Sequence, residues 1–262
     1  MKRRRAQDDW DLYPPTTNAF KKPVAKKAKK RESLGNAVHL IQHPTRIFVV
    51  GRSQMGKTTL AVRDIQERFA TMDRYIAICP SFHQAIFDPI RAWFKKEDIY
   101  ETLKPKTFGK IFEDIKRFNR YARERGQREP RTFILIDDMA GSNAIHGAGK
   151  GDFAQFANQV THWGCSEMVI SQDPKRVDPS FRKNCENFII FPSEAKYDMQ
   201  WLEESFNSRV LNNHHDFSDI VYQAWSAGKG HSEIGKHFLF INSQPRTLSK
   251  FFSDFDNQVE SK

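Results

Sequence analysis

The chain has 262 residues, 39% hydrophobic and 13% aromatic, enough to bury the core of one large domain, and its formal net charge is +10. Residues 1–32 hold eleven Lys/Arg against four Asp/Glu, so about seven of the excess charges sit at the N-terminal end and the rest is mildly basic. Three scattered cysteines, Cys79, Cys165 and Cys185, argue against a disulfide framework and for a reducing compartment; no apolar run approaches the roughly 18 residues of a membrane span, so neither secretion nor membrane insertion is expected.

Residues 1–35 carry KRRR at Lys2 to Arg5 and KKPVAKKAKKR at Lys21 to Arg31, separated by Pro14, Pro15 and polar residues, and are expected to be a disordered basic leader. Two basic clusters about fifteen residues apart have the form of a bipartite nuclear-import signal, and the same charges would bind DNA phosphates with strong salt dependence. A single α/β domain is predicted over 36–250, with 251–262 as a C-terminal tail. Its strands are predicted at Ile47 to Val50, Arg74 to Cys79, Thr132 to Ile136, Glu167 to Ser171, Asn187 to Phe191 and His237 to Ile241. Their near-continuous apolar character suits a mainly parallel sheet covered by helices on both faces. Helices are predicted at Thr58 to Ala70 and at Phe108 to Glu124, where Ile111, Ile115 and Phe118 form one stripe, and residues 197–225 read as helical or mixed.

The segment Gly51-Arg52-Ser53-Gln54-Met55-Gly56-Lys57-Thr58 fits G-x-x-x-x-G-K-[ST], directly after the apolar strand RIFVV and before the helical TTLAVRDIQERF that Thr59 continues. Glycines let the backbone wrap so that several N–H groups face one phosphate, and the following helix aims its positive end at the same point. Lys57 is expected to reach the β- and γ-phosphates of ATP, and Thr58 to hold Mg²⁺. The run Phe133-Ile-Leu-Ile136-Asp137-Asp138 delivers two carboxylates to the end of a buried strand. Asp137 is expected to hold the Mg²⁺ and Asp138 to orient or deprotonate the attacking water. A further strand, Met168-Val-Ile-Ser171-Gln172, ends in an amide. If that strand lies beside the first, Gln172 becomes a sensor of the γ-phosphate.

Three elements together, GRSQMGKTT, LIDDM, and Thr161-His-Trp-Gly-Cys-Ser166 running into VISQ and Asp178-Pro-Ser-Phe-Arg182-Lys-Asn184, resemble the FtsK–HerA superfamily of DNA-pumping ATPases. Within it they are most similar to the poxvirus A32-like branch of viral genome-packaging ATPases, over roughly residues 45 to 195. The resemblance implies an ASCE/RecA-like P-loop NTPase fold, a Gln sensor at Gln172 and a ring of identical subunits. It departs from the pattern in two places. The superfamily usually has Glu where Asp138 stands, and Thr161 occupies the position of an Arg before His162. The arginine finger completing a neighbouring subunit's site is therefore sought elsewhere, at Arg182 or Arg176.

These readings imply an ATP-driven double-stranded DNA translocase that packages a viral genome, acting in the host nucleus and accompanying the virion, with a capsid protein as a further partner and no membrane partner. The alternative is a P-loop DNA helicase in viral replication or recombination, which would grip one strand. A third class is a nucleic-acid binder that keeps the nucleotide fold without hydrolysis. A grip on phosphates without base reading suits the glycine-rich loop Gly141 to Gly151, with His146 and Lys150, as a pore loop, and Arg123, Arg125, Arg128 and Arg131 as a second basic patch. No N-K-x-D base-reading motif follows Asp137-Asp138, which favours an adenine nucleotide. The spacing of His162, Cys165 and Cys185 gives no zinc site, and His214 and His215 beside Asp216 have no metal-ligand spacing. About 70 residues follow the motif region, fewer than a two-metal nuclease domain is expected to need.

Overall fold

A computed structural model describes residues 36–104, 106–139, 145, 151–193, 200–206, 214–226, 237–243, 250–253 and 257–258. The leader 1–35, the loop residues His146 and Lys150, and the side chains of His214 and His215 lie outside the described residues. In chain order the strands are β1 Arg46–Val50, β2 Arg74–Ile78, β3 Ile99–Tyr100, β4 Thr132–Asp137, β5 Cys165–Ser171, β6 Asn187–Ile190, β7 Leu239–Asn242, β8 Lys250–Ser253 and β9 Asn257–Gln258. The helices are α1 Lys57–Arg68, α2 Asp88–Arg91, α3 Thr107–Glu124, α4 Asp152–Gln159, α5 Pro179–Asn184, α6 over 200–206 and α7 His214–Ser226.

The nine strands among the described residues form one sheet in the order β3-β2-β4-β5-β1-β6-β7-β8-β9. The first six are mutually parallel, and β7, β8 and β9 join antiparallel. Parallel neighbours need crossover connections, and those crossovers supply the helices on both faces. The alternation of side chains along each strand divides the core in two. Phe48, Val50, Ile134, Ile136 and Val169 pack with Phe108, Ile111, Phe156 and Phe181 of α3, α4 and α5 on one face. Ile47, Val49, Phe133, Leu135 and Ile170 pack with Leu60, Ala61 and Ile65 of α1 on the other. The α3 stripe holds as predicted at Ile111 and Ile115, while Phe118 is only half-buried, beneath the Arg74 guanidinium at 4.9 Å.

The β-structure runs past residue 250, where the sequence reading ended the domain, because β8 pairs with β7 in register Phe240 to Phe252. At the N-terminal ends of the strands, the Arg123 to Arg131 cluster is largely occupied with acids. Arg123 pairs with Glu129, while Arg128 reaches Asp73 at 2.9 Å and Arg131 reaches it at 4.0 Å. Cys165 and Cys185 are buried, their thiols directed to the carbonyls of Trp163 and Asn187.

One buried acid makes stability depend on pH. Glu167 in β5 is fully buried, and neither carboxylate oxygen has a hydrogen-bond partner among the described residues. Burial, reinforced by Glu186 and opposed by Arg46, pushes its pKa up to about 8. The folded state therefore holds a proton that the unfolded state releases near the ordinary glutamate pKa of about 4.3. Stability from this group is fully present below that value and is lost as pH rises through about 8. Buried Asp64, pushed up to about 7 mainly by burial, acts with the same sign. Urea unfolding at pH 5.5 and 8.5 is expected to differ by about 1–3 kcal/mol, with Glu167→Gln flattening the dependence. Identical slopes in both proteins would contradict a protonated Glu167.

Candidate nucleotide and metal site

The site begins where β1 stops. Gly51 N–H donates to the Ser171 carbonyl at 3.2 Å, pinning the loop to the end of β5. A Cβ on Gly51 would lie 2.6 Å from Phe191 Cβ, so glycine is required by close approach. Gln54 (φ 64°) and Gly56 (φ 85°) then take left-handed conformations that turn the chain back into α1. Gly56 is the N-cap and offers no side-chain oxygen, so the first-turn amides are not capped by it. Those donors and the helix dipole make the loop an anion cradle. Lys57 Nζ spans it and donates to the Arg52 carbonyl at 2.5 Å. Burial lowers the Lys57 pKa against the opposing pull of Asp137 and Asp138.

β4 delivers the carboxylates. Thr58 Oγ1 donates to Asp137 Oδ2 at 3.0 Å, joining the first residues of α1 to the end of β4. Burial pushes Asp137 up to about 6, only partly offset by the Thr58 hydrogen bond and by Lys57. A buried carboxylate short of positive charge beside a hydroxyl is the donor chemistry of a hard divalent cation, so the residues present fit one. Asp138 sits at φ 57°, a left-handed conformation that Asp tolerates better than longer side chains. This gives a backbone reason for the shorter acid at the position where the resemblance leads one to expect Glu.

A cavity of about 360 Å³ opens over these groups. It is lined by Ser53, Gln54, Gly56, Lys57, Thr58 and Thr59 from the loop and α1, by Asp137 and Asp138, and by Gln172 beyond β5. β5 lies between β4 and β1, so the condition for bringing Gln172 to the site is met. Gly51, Arg52, Met55 and Arg182 are not among the lining residues. Gly51 and Arg52 take part through the backbone bonds above, and Met55 is partly buried against the core cluster of that face. Arg182, in α5, donates from Nε to the Val177 carbonyl at 3.0 Å. Arg176 pairs with Asp173 at 3.4 Å. Of the Gly141 to Gly151 loop, Ile145 and Gly151 are described; Ile145 is buried and its carbonyl accepts from Asp178 N–H at 3.0 Å. Sequence reasoning missed Ser81, Gln84 and Ile86, which line the same cavity from the segment after β2. They form no motif, and only the adjacency of β2 to β4 brings them in.

The parallel order β2-β4-β5-β1-β6, with the glycine loop after β1 and the paired acids closing β4, defines a P-loop NTPase fold. The solved genome-packaging NTPase B204 from Sulfolobus turreted icosahedral virus 2 shares it. In complex with AMP, that protein aligns with a TM-score of 0.53 at 13% identity over 79% of this chain and 96% of its own. In complex with ATPγS it aligns with a TM-score of 0.51 at 14% identity over 82% and 98%. The sequence matches no protein-family model, and no curated protein aligns with it significantly.

Proposed function

We propose that this chain is a magnesium-dependent ATPase of the FtsK–HerA type, in the poxvirus A32-like branch, that drives double-stranded DNA into a viral capsid. The observation that carries the reading is the 3.0 Å contact between Thr58 and Asp137 on a cavity shared with Lys57, Asp138 and Gln172. The sequence resemblance and the fold of the viral packaging NTPase support the choice of DNA packaging over other P-loop work.

Lys57 would exchange the Arg52 carbonyl for the β- and γ-phosphate oxygens, and its partly desolvated charge is stronger there than in water. Thr58 and Asp137 would hold Mg²⁺, whose charge would offset that of the phosphate oxygens. Asp138 would accept the proton of the attacking water, and Gln172 would hydrogen-bond the γ-phosphate. Arg182 would complete the site of a neighbouring copy in a ring. An Arg182→Ala protein that hydrolyses ATP normally would remove it from that role. Residues 1–35 would carry the chain into the host nucleus, which a reporter fused to them and retained in the cytoplasm would disprove.

ATP hydrolysis should be compared with linear duplex, single-stranded DNA and no DNA. Stimulation by duplex without strand separation is expected. Stimulation by single strands with unwinding would point to a helicase, and absence of hydrolysis in all three would defeat the proposal.

A further inference from the structure

The cavity wall opposite Gln172 is built from the segment between β2 and α2. There the chain makes successive tight turns: Phe82 N–H donates to Cys79 O (3.2 Å), Gln84 N–H to Ser81 O (2.9 Å) and Phe87 N–H to Gln84 O (3.1 Å). Phe82 is buried against the rings of Phe87 and Phe94, each at 4.8 Å. Arg91 of α2 turns one guanidinium nitrogen onto three carbonyls, those of Phe82 (3.3 Å), His83 (2.7 Å) and Gln84 (2.5 Å). The main chain at Gln84 is therefore fixed, while its side chain is exposed at the cavity. The pinned backbone removes the main-chain share of the ordering cost when a ligand is met, and only the side-chain rotamers of Gln84 remain to be fixed.

Its position relative to the acids follows from strand order. β4, which ends in Asp137, lies between β5, which leads to Gln172, and β2, which leads to Ser81 and Gln84. The electrostatics agree. The Cys79 thiol, 3.4 Å from Ser81 Oγ, is raised to about 11 chiefly by burial, with Asp137 and Asp138 adding to the rise.

A water attacking a phosphoryl group must keep a lone pair toward phosphorus, so both of its hydrogens need acceptors. One carboxylate oxygen holds one of them. We propose that Gln84 Oε1 is the second acceptor, so that Asp138 and Gln84 orient the water while Gln172 faces the γ-phosphate from the other side. This rests on the ATPase reading above. The bond from the water oxygen to the γ-phosphorus forms as the bond to the β-phosphate oxygen breaks. ADP departs with that electron pair, and the water's proton passes to Asp138 and on to solvent, leaving inorganic phosphate. Gln84 stays neutral throughout.

The test uses the full chain, with kcat, KM, affinity for ATPγS and melting temperature measured for the wild type, Lys57→Ala, Gln84→Met and Gln84→Glu. Gln84→Met, which keeps the length and removes the acceptor, is expected to lower kcat about 10- to 100-fold with ATPγS affinity within about twofold. Gln84→Glu, which keeps an acceptor oxygen in place, should retain clearly more turnover than Gln84→Met. Wild-type turnover in Gln84→Met, equal losses in both variants, or a loss matched by weaker ATPγS binding or a lower melting temperature would overturn the assignment. A wild-type chain with no Lys57-dependent hydrolysis would overturn the ATPase reading as well. Hydrolysis that is indifferent to Gln84→Met would overturn this inference alone.

Discussion

Lys57→Ala is expected to lower ATP turnover by about 10³-fold while leaving the melting temperature unchanged or raised. The two halves of this expectation share a cause. Lys57 is buried, and burial disfavours its charge, so the folded chain gains little from keeping an ammonium there. Its hydrogen bond to the Arg52 carbonyl is a local one within the loop. On the proposed ATPase reading the triphosphate, by contrast, would lose the cation best placed to meet charge as it moves toward the leaving oxygen. Steady-state hydrolysis and a thermal melt on the same preparation separate the effects. Equal turnover in wild type and variant would remove the P-loop from the chemistry, and a large fall in melting temperature would make Lys57 a structural residue instead.

Arg46→Ala is expected to lower stability by about 3–5 kcal/mol, as much as truncating a core phenylalanine. Arg46 opens β1 and is almost wholly buried. Its Nε donates to Ala157 O at 2.8 Å, and its terminal nitrogens reach Asn158 O at 3.4 Å, Asn184 O at 3.3 Å and Glu186 at 3.3 Å. One side chain thus ties the ends of α4 and α5 to the strand that carries the phosphate loop. Removing it leaves those carbonyls without their donor, and it also removes the positive charge that opposes the rise of Glu167. Urea unfolding at pH 7 measures the loss. A change below about 1 kcal/mol would mean that water replaces the guanidinium at little cost.

The strands that carry the site were legible because each is an apolar run ending at a chemically distinctive residue: RIFVV at Gly51, TFILI at Asp137, MVIS at Gln172. Their lateral order was only conditional in the sequence, since nothing in MVIS states that it lies beside RIFVV. Crossover topology decides that. β3 and β9, two residues each, are too short for periodicity to register, and β8 (Lys250–Ser253) is a four-residue run with a charged and a polar end that joins the sheet only through its pairing with β7. The late strand was expected to start at His237 but begins at Leu239, where pairing with Ile190 starts. The wall formed by Ser81 and Gln84 was invisible for a different reason. Ser, His and Gln in a turn read as solvated loop, and their value comes from the Arg91 clamp and the neighbouring β4. Likewise, the choice of Asp over Glu at residue 138 makes sense only once its left-handed backbone is known.

The most direct test of the central claim is equilibrium binding of ATPγS to the full chain with Mg²⁺ and with EDTA, for the wild type and for Asp137→Asn. Binding that is tightened by Mg²⁺ in the wild type, with that dependence lost in Asp137→Asn, is the expected result. Absence of binding, or binding equally strong without the metal in both proteins, would contradict a shared site for triphosphate and ion at Thr58 and Asp137.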